Sequence, residues 1–137
     1  MVDEERLLLY QRFHEARAVS RGWSFRGIEV DEYVETFLDN VVPTREFRYR
    51  LDGKLIGIAY VDDADDAVNS IYAFSDPAHS RRSLGTFDVL TEIIDAGRRG
   101  KQYFYLGFFV TACQSMSYKT AFRPHQLLRH GAWRFGE

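Results

Sequence analysis

Cysteine is nearly absent from this chain of 137 residues, in which Cys113 is the single thiol. One thiol excludes an intramolecular disulfide and any zinc or iron–sulfur cluster that the chain could build from its own cysteines. The four histidines are scattered without the spacing of metal ligands, so we predict no metal site. Cysteine this sparse fits a reducing compartment, and we expect a cytoplasmic protein in which Cys113 is simply a small buried residue.

The chain also lacks a large net charge and a long apolar run. Lys and Arg number 18 against 20 Asp and Glu, which argues against binding nucleic acid through bulk charge and leaves local basic patches open. The N-terminus places acids ahead of only a short apolar run, so it predicts neither a signal peptide nor a membrane span, and we expect no membrane partner. At this length we expect a single domain over residues 1–137.

The spacing of apolar residues predicts two helices and then three antiparallel strands. Asp31 is expected to cap the second helix, and Asp52-Gly53 is the turn signal of a hairpin. The predicted helices cover 4–20 and 31–40, and the predicted strands cover 46–51, 54–61 and 67–74.

The second half of the chain predicts a strand–helix–strand crossover. Ser83 is expected to cap a helix over 84–99, and the apolar run 102–110 predicts a central strand parallel to the third one. We expect the helix to bury Leu84, Phe87, Leu90, Ile93 and Ile94. Beyond the crossover we expect a short helix within 118–128 that Pro124 interrupts, and an edge strand over 132–135.

A basic glycine turn precedes the predicted crossover helix. Arg81 and Arg82 stand beside Ser83 and Gly85, where backbone N–H groups, the positive end of a helix dipole and two guanidinium groups suit a phosphate-bearing ligand. The alternative is that the arginines are solvated turn charges and that Gly85 lets the helix pack closely against a strand. Both interpretations stay open at this point.

The order of elements resembles the GNAT-type N-acyltransferase fold, an α+β fold with a mixed sheet in which an antiparallel meander precedes a parallel βαβ crossover. In that superfamily the turn reads Gln or Arg, two residues, Gly, one residue, then Gly or Ala, and its amides hold the pyrophosphate of coenzyme A. This chain has Arg82, Gly85 and then Phe87 at the position of the small residue. Phe87 therefore argues against a coenzyme A cradle.

A more specific resemblance covers nearly the whole chain from Tyr10 onward. Several short sequences resemble the C-terminal domain of arginyl-tRNA–protein transferases and their bacterial leucyl relatives. They are, in order, Lys54-Leu55-Ile56-Gly57, Ile71-Tyr72-Ala73-Phe74, Asp76-Pro77, Ser83-Leu84-Gly85-Thr86, Tyr103-Phe104-Tyr105-Leu106-Gly107, Met116-Ser117-Tyr118-Lys119 and Phe122-Arg123-Pro124. Trp133 after Gly131 also fits the end of the family pattern.

This resemblance implies an aminoacyltransferase that moves Arg or Leu from a charged tRNA to the N-terminal amine of proteins with acidic N-termini, which tags them for degradation through the N-degron route. Its partners would be aminoacyl-tRNA and the N-terminal peptide of an acceptor protein, and no cofactor is implied beyond the charged tRNA. Family members also carry a cysteine-rich N-terminal region that this chain lacks. Either a separate chain supplies it, or this is a stand-alone offshoot with altered or lost activity.

Two other functions stay open: a coenzyme A-dependent N-acetyltransferase, and a non-catalytic module that recognises acidic N-termini or tRNA ends. Aminoacyl transfer needs a neutral amine, oxyanion stabilisation and a proton for the departing ribose hydroxyl, without a covalent intermediate. We expect the Tyr118 hydroxyl and Asp62 to act catalytically, with Asp62 accepting a proton or anchoring the acceptor's ammonium. The candidate substrate-binding residues are Arg81, Arg82, Ser83, Gly85, Thr86, Tyr105, Lys119 and Arg123.

Each of these candidates also has a structural interpretation. Lys119 and Arg123, four residues apart, are expected to share a helical face that binds an acidic side chain or the tRNA backbone, or that is merely exposed. Tyr105 lies in an aromatic run whose alternate residues belong to the core, with a stacking platform for a terminal adenine as the alternative. A catalytic site requires the basic groups at 81–85 and 118–123 to converge on one groove.

Overall fold

The computed structural model describes residues 2–136, which form two compact units that divide between Tyr105 and Leu106. The first unit contains helices α1 (Glu4–Arg21), α2 (Val30–Phe37) and α3 (Leu84–Arg98), strands β1 (Thr44–Leu51), β2 (Lys54–Asp63), β3 (Ala67–Ser75) and β4 (Tyr103–Tyr105), and a 3-10 helix over Pro77–Arg82. The second contains α4 (Gln114–Ser117), a 3-10 helix over Tyr118–Ala121, β5 (Gln126–Arg129) and β6 (Ala132–Phe135).

The first unit is built on a four-stranded sheet in the order β1-β2-β3-β4. Strands β1, β2 and β3 are antiparallel neighbours, and β4 is parallel to β3 after the α3 crossover. The α+β class and the antiparallel meander followed by a parallel crossover are therefore confirmed. The expectation that residues 1–137 form a single domain stays a prediction.

The helix ends follow from their flanking residues. The Asp3 carboxylate accepts a hydrogen bond from the Arg6 amide at 3.0 Å, and Gly22 ends α1 in the left-handed conformation at φ 67°. The N-cap of α2 is Glu29, so the prediction that Asp31 caps this helix is wrong. Asp31 lies instead in the first turn, where a carboxylate favours the positive end of the helix dipole.

The main core lies between α1, α2 and the sheet. Tyr33, Phe37, Ile58, Tyr60 and Phe74 are each at most 3% exposed. The aromatic rings meet largely edge to face or tilted, as in the Tyr33–Phe37 pair at 5.0 Å between centroids, while Phe37 and Tyr60 are stacked. Aromatic residues at helical spacing on α1 and α2 and at alternate positions on β2 and β3 thus produce one dense cluster.

The pairing of β2 with β3 shifts its register between Tyr60 and Val61. Tyr60 pairs with Tyr72 and Val61 pairs with Ser70, so Ile71 is the extra residue of a β-bulge. Because of the bulge, Tyr72 lies on the α1 side of the sheet and Ser70 lies on the α3 side. Each strand thus supplies aromatic residues to the main core and smaller residues to the space beneath α3.

Three predictions about the second half are wrong. Helix α3 buries Asp88, Val89, Glu92 and Ala96, whereas Phe87, Leu90 and Ile94 are about half exposed. The apolar run 102–110 gives only the three-residue strand β4, which lies at the edge of the sheet. The predicted helix within 118–128 is limited to a 3-10 helix over Tyr118–Ala121, and strand β5 begins at Gln126.

The second unit ends in a hairpin. Strand β6 over Ala132–Phe135 is confirmed, and it pairs antiparallel with β5. His130 and Gly131 form its turn with φ of 52° and 78°, values that favour glycine at the second position. Among residues 2–136, no helix is both long and apolar enough to cross a lipid bilayer.

Candidate functional site

The turn before α3 is fixed to the sheet through a buried aspartate. Asp76 is 3% exposed and accepts hydrogen bonds from the Ala78 amide and the Lys54 ammonium, each at 3.0 Å, while Arg12 lies at 3.3 Å. Burial alone would raise the pKa of Asp76, but these hydrogen bonds and charges hold it below its ordinary value. The backbone is therefore held in place at Asp76, where the segment that leads to α3 begins.

The first turn of α3 begins in a left-handed backbone conformation. Ser83 has φ 52° and occupies the N-cap position, as predicted, but its side chain makes no capping hydrogen bond. Its carbonyl oxygen instead accepts hydrogen bonds from the amides of Thr86 and Phe87, at 3.0 and 3.1 Å. Thr86, a candidate substrate-binding residue, thus has its amide engaged within the turn. The Gly85 amide is the better candidate, because no backbone partner is found for it within residues 2–136.

Gly85 lies in open space. A Cβ atom built at this position would meet no heavy atom within 4 Å, and its φ lies outside the left-handed region. The alternative that Gly85 lets α3 pack against a strand is thus not supported. The glycine leaves the backbone accessible to an approaching molecule.

Two guanidinium groups lie next to this open backbone. Arg81 and Arg82 end the 3-10 helix immediately before Ser83, and both are exposed. Exposed arginines beside the positive end of a 15-residue helix make the surface suitable for an anion such as phosphate. We call Arg81, Arg82, Ser83 and Gly85 the helix-start site.

Asp62 lies far from the helix-start site. It pairs with Thr44 and Asn69 near the end of β2, whereas the Asp76 amide donates to Ile56 near its beginning. Ile56 and Asp62 are six positions apart along the strand, which corresponds to about 20 Å. The Asp62 carboxylate accepts a hydrogen bond from Asn69 at 3.3 Å, and the structure does not bring it together with Gly85.

Tyr105 ends β4 beside a second tyrosine. Tyr103 and Tyr105 point to the same side of the strand, with ring centroids 6.3 Å apart and an interplanar angle of 28°. Their exposures are 50% and 37%. A pair of exposed, nearly parallel rings is compatible with the stacking interpretation and contradicts burial of both in the core.

The second unit contains the other candidates. The Lys119 ammonium donates to the Phe108 carbonyl at 2.7 Å, and burial lowers its pKa. Tyr118 is 46% exposed and its ring lies edge-on to that of Phe122. Since the 3-10 helix ends at Ala121, the expectation that Lys119 and Arg123 share a helical face is wrong. These residues and the helix-start site belong to different units, so their convergence on one groove stays a prediction.

One group near the helix-start site was not predicted. Tyr49 on β1 donates to Asp88 on α3 at 2.5 Å, and Glu92 is buried one turn further along. The signal was present in the sequence, because two carboxylates four residues apart lie on one helical face. It was missed because apolar spacing indicated a different face for burial. Among residues 2–136 no three His, Cys, Asp or Glu side chains are arranged to hold a metal ion.

The fold is that of the GNAT-like acyltransferases. The structure resembles the ribosomal-protein-S18-alanine N-acetyltransferase from Escherichia coli, with a TM-score of 0.62 and 15% identity, over 85% of this chain and 67% of that chain. It also resembles a ribosomal-protein-alanine N-acetyltransferase from Brucella melitensis, with a TM-score of 0.54 and 18% identity, over 85% and 82% of the two chains. At these identities the likeness establishes the fold alone.

The sequence identifies the family within that class. Residues 5–129 match the family described as arginine-tRNA-protein transferase, C terminus, and the chain belongs to this family. It is 34% identical over 131 residues to an aspartate/glutamate leucyltransferase from Chromobacterium violaceum, covering 96% of this chain and 53% of that protein. The protein of the same name from Campylobacter jejuni is 33% identical, covering 93% and 54%. The chain thus spans about half the length of these curated relatives.

Proposed function

We propose that the chain is the acyl-transferring part of an aminoacyl-tRNA–protein transferase. It transfers an amino acid, Leu or Arg, from a charged tRNA to the N-terminal amine of a protein that begins with Asp or Glu. The family match over residues 5–129 and relatives named aspartate/glutamate leucyltransferase support this proposal and favour leucine. A charged tRNA as donor implies a cytoplasmic setting.

The observation that carries the proposal is the accessible backbone at Gly85. A helix start with a glycine facing open space and two exposed arginines suits a donor that ends in phosphate-linked nucleotides. Phe87, 54% exposed, occupies the position where a coenzyme A cradle requires a small residue. We therefore propose that charged tRNA is the acyl donor and that coenzyme A is not used.

In the proposed reaction the acceptor's neutral amine attacks the ester carbonyl carbon of the charged tRNA. The new C–N bond forms as the C–O bond to the ribose breaks, and a proton from the amine passes to the departing ribose oxygen. Arg82 and the Gly85 amide would hold the donor, so that positioning and electrostatics supply the rate enhancement. Asp62 has no part in this step because it lies at the opposite end of β2.

The second unit would serve the acceptor and the tRNA. Lys119 and Arg123 supply positive charge for an acidic side chain or for the RNA backbone, and the Tyr118 hydroxyl can donate to the developing oxyanion. Lys119 is oriented by the Phe108 carbonyl at 2.7 Å, which reduces the entropy lost on binding a carboxylate. We also propose as a partner a separate chain that supplies the part of the relatives that this chain does not span.

The test is a transfer assay with purified chain, tRNA charged with labelled Leu or Arg, and a peptide with an N-terminal Asp or Glu. Arg82→Ala should lower kcat/KM about tenfold, the loss of roughly one charge-assisted contact. Arg98→Ala is the matched control, because Arg98 is an exposed arginine in the last turn of the same helix. Lys119→Ala should reduce transfer more than it reduces folding.

An acetylated peptide N-terminus should abolish transfer. Folded chain that transfers neither amino acid, alone or with a partner that supplies the missing half of the relatives, would contradict the enzyme proposal. Retained binding of the tRNA end in that case would instead support a non-catalytic binding module. Acetyl-CoA binding measured by calorimetry would contradict the assignment of the donor.

A further inference from the structure

Helix α3 turns two carboxyl groups toward the sheet. Asp88 is 3% exposed and Glu92 is 1% exposed, and they lie one helical turn apart on the same face. Asp88 comes three residues after Gly85, so this face directly supports the first turn of the helix. A buried carboxyl group is destabilising unless it is hydrogen-bonded or neutral.

Asp88 is held by a contact to which three elements contribute. The Tyr49 hydroxyl on β1 donates to Asp88 Oδ1 at 2.5 Å, and the Tyr49 ring lies edge-on to Phe87 at 5.6 Å between centroids. On β2, a Cβ atom at Gly57 would approach Tyr49 Cδ2 to 3.2 Å. The glycine therefore leaves the room that the Tyr49 ring needs to reach α3.

Glu92 lies beside this contact without a hydrogen bond. Neither of its carboxyl oxygens has a partner within residues 2–136. The titratable groups that face it are Asp88 on its own helix and Tyr49 on β1. The Ser70 hydroxyl on β3 lies beyond hydrogen-bond distance, and its dipole only partly opposes the rise of the Glu92 pKa. The next charged residue on this side of the helix is Asp95, whose carboxylate accepts a hydrogen bond from Arg45 on β1 at 2.5 Å.

The two carboxyl groups therefore carry different charges at neutral pH. Burial, and then the charge of Asp88, raise the pKa of Glu92 to about 8. Burial raises the pKa of Asp88 to about 6, with the Tyr49 hydrogen bond opposing the shift. Asp88 is thus the anion that accepts from Tyr49, and Glu92 is the neutral neighbour.

We propose that Tyr49, Asp88 and Glu92 are positioning residues that hold the first turn of α3 against the sheet. This proposal rests on the proposed function in one respect, namely that the first turn of α3 holds the acyl donor. The three residues do not touch the donor. They act through Gly85 and Arg82, whose positions depend on where the helix begins.

The contact between the first turn of α3 and the sheet should therefore be strongest over a limited range of pH. Protonation of Asp88 below about pH 6 weakens the bond from Tyr49, because a hydrogen bond to a neutral carboxyl is weaker than one to a carboxylate. Ionisation of Glu92 above about pH 8 places two buried negative charges one turn apart, and they repel. The backbone amides at the start of α3 should therefore be best protected from hydrogen exchange between these two pH values.

Hydrogen exchange measures the seating without any substrate. Protection factors, corrected for the intrinsic pH dependence of exchange, should be highest near pH 7 for amides of 86–91 and fall at least tenfold by pH 9.5. The last turn of the same helix is the internal control, because Arg99 anchors it to Asp63 and Asp95. Its protection should change much less over this range.

Three variants isolate the contributions. Glu92→Gln should remove the alkaline loss of protection, and Glu92→Leu should do the same if the glutamine variant folds poorly. Tyr49→Phe should lower protection of 86–91 at every pH. Asp95→Asn is the matched control, since it removes a carboxylate of α3 that is ion-paired, and it should leave the alkaline limb unchanged. An alkaline loss that persists in both Glu92 variants, or unchanged protection in Tyr49→Phe, would overturn the proposal.

Donor binding then separates this proposal from the proposed function. The probe is a short RNA ending in CCA with leucine joined to the terminal ribose by an amide, which survives alkaline pH. Wild-type affinity should follow the protection profile, and in transfer assays Tyr49→Phe should raise KM for the donor severalfold with kcat little changed. If wild type shows the exchange profile but never binds the probe, the donor assignment fails and the seating stands. If affinity is independent of pH while seating changes, the positioning role fails.

Discussion

The two faces of the sheet bury polar groups in opposite ways. On the α1/α2 face, Arg6 donates to both carboxylate oxygens of Glu46 at 2.9 and 3.0 Å. Tyr60 donates to the same carboxylate at 2.7 Å, and its hydroxyl lies 2.8 Å from that of Tyr33. On the α3 face, Glu92 is buried more deeply, at 1% exposed against 14% for the Glu46 side chain, and neither of its carboxyl oxygens has a hydrogen-bond partner within residues 2–136.

This difference indicates that the buried glutamate of one face stabilises the fold and that the buried glutamate of the other face does not. Burial alone would raise the pKa of Glu46, but Arg6 and Tyr60 hold it below its ordinary value, so the charge is stabilised. Nothing comparable stabilises an anion at Glu92, whose pKa is raised. A buried group that destabilises the fold and lies next to an accessible site is a candidate for a functional role.

The largest difference between the faces should come from two phenylalanines. Phe37 is 3% exposed in the main core, and Phe37→Ala should lower the free energy of unfolding by about 3–5 kcal/mol through lost burial and a cavity. Phe87 is 54% exposed on α3, and Phe87→Ala should lower it by roughly 1 kcal/mol or less. Denaturant unfolding of both variants measures this contrast. Equal losses would show that the α3 face is a second core.

Removing the charge of a glutamate should have opposite signs on the two faces. Glu46→Gln should destabilise by about 1–3 kcal/mol, because it removes one of the two carboxylates, Asp3 and Glu46, that pair with the buried Arg6. Glu92→Gln should stabilise by on the order of 2 kcal/mol at pH 9, because the folded chain no longer buries an anion there. Urea unfolding at pH 9 compares the two, and a loss of stability in Glu92→Gln would contradict the neutral state assigned to Glu92.

The pH dependence of stability should distinguish the same pair. The folded chain keeps the Glu92 proton up to about pH 8, whereas the unfolded chain releases it near 4.5, so rising pH between these values lowers the free energy of unfolding. The contribution of Glu46 to the free energy of unfolding changes with pH in the opposite direction. Its pKa is lower in the folded chain, so its stabilising effect is lost as the pH falls. Glu92→Gln should flatten the slope between pH 5 and 8, and Glu46→Gln should not.

The smallest effects should come from the glycines of α3. Neither Gly85 nor Gly97 would place a Cβ within 4 Å of another group, so alanine at either position should stabilise the helix by about 0.5–1 kcal/mol. Gly85→Ala should nevertheless weaken binding of the aminoacyl RNA probe, because the methyl group covers the open backbone. Gly97→Ala is the matched control at the other end of the helix. Equal binding by both variants would argue against close approach at Gly85.

Local patterns predicted the first half of the chain well. Alternation on β1 to β3 and the Asp52-Gly53 turn indicated the meander, and the observed pairing continues through this turn to Leu51 and Lys54. The start of α3 at Leu84, the parallel strand after it and the final strand were also predicted. These features depend on neighbours in sequence, so the sequence contains the information needed to predict them.

The misassigned elements depend on long-range packing. Apolar spacing indicated that Leu90 and Ile94 face the core, but α3 turns Asp88 and Glu92 inward because Tyr49, more than thirty residues earlier, meets Asp88. The run after Tyr105 is apolar enough for a strand, yet the pairing of β3 with β4 ends at Asn69 and Tyr105. Asp62 was selected as a carboxylate at the end of the second strand, and the sequence could not show that Asp76, from which the chain leads to the helix-start site, attaches near the other end of that strand.

The sequence by itself determined the family, the order of the elements and the helix start with its arginines and glycine, because these are recorded in contiguous residues. Only the tertiary structure decided which face of α3 is buried, and hence that two carboxyl groups and a tyrosine meet beneath the helix-start site. The physical reason is that a side chain's burial and protonation are set by residues distant in sequence. Their approach is fixed by the registers of the sheet and not by local propensity.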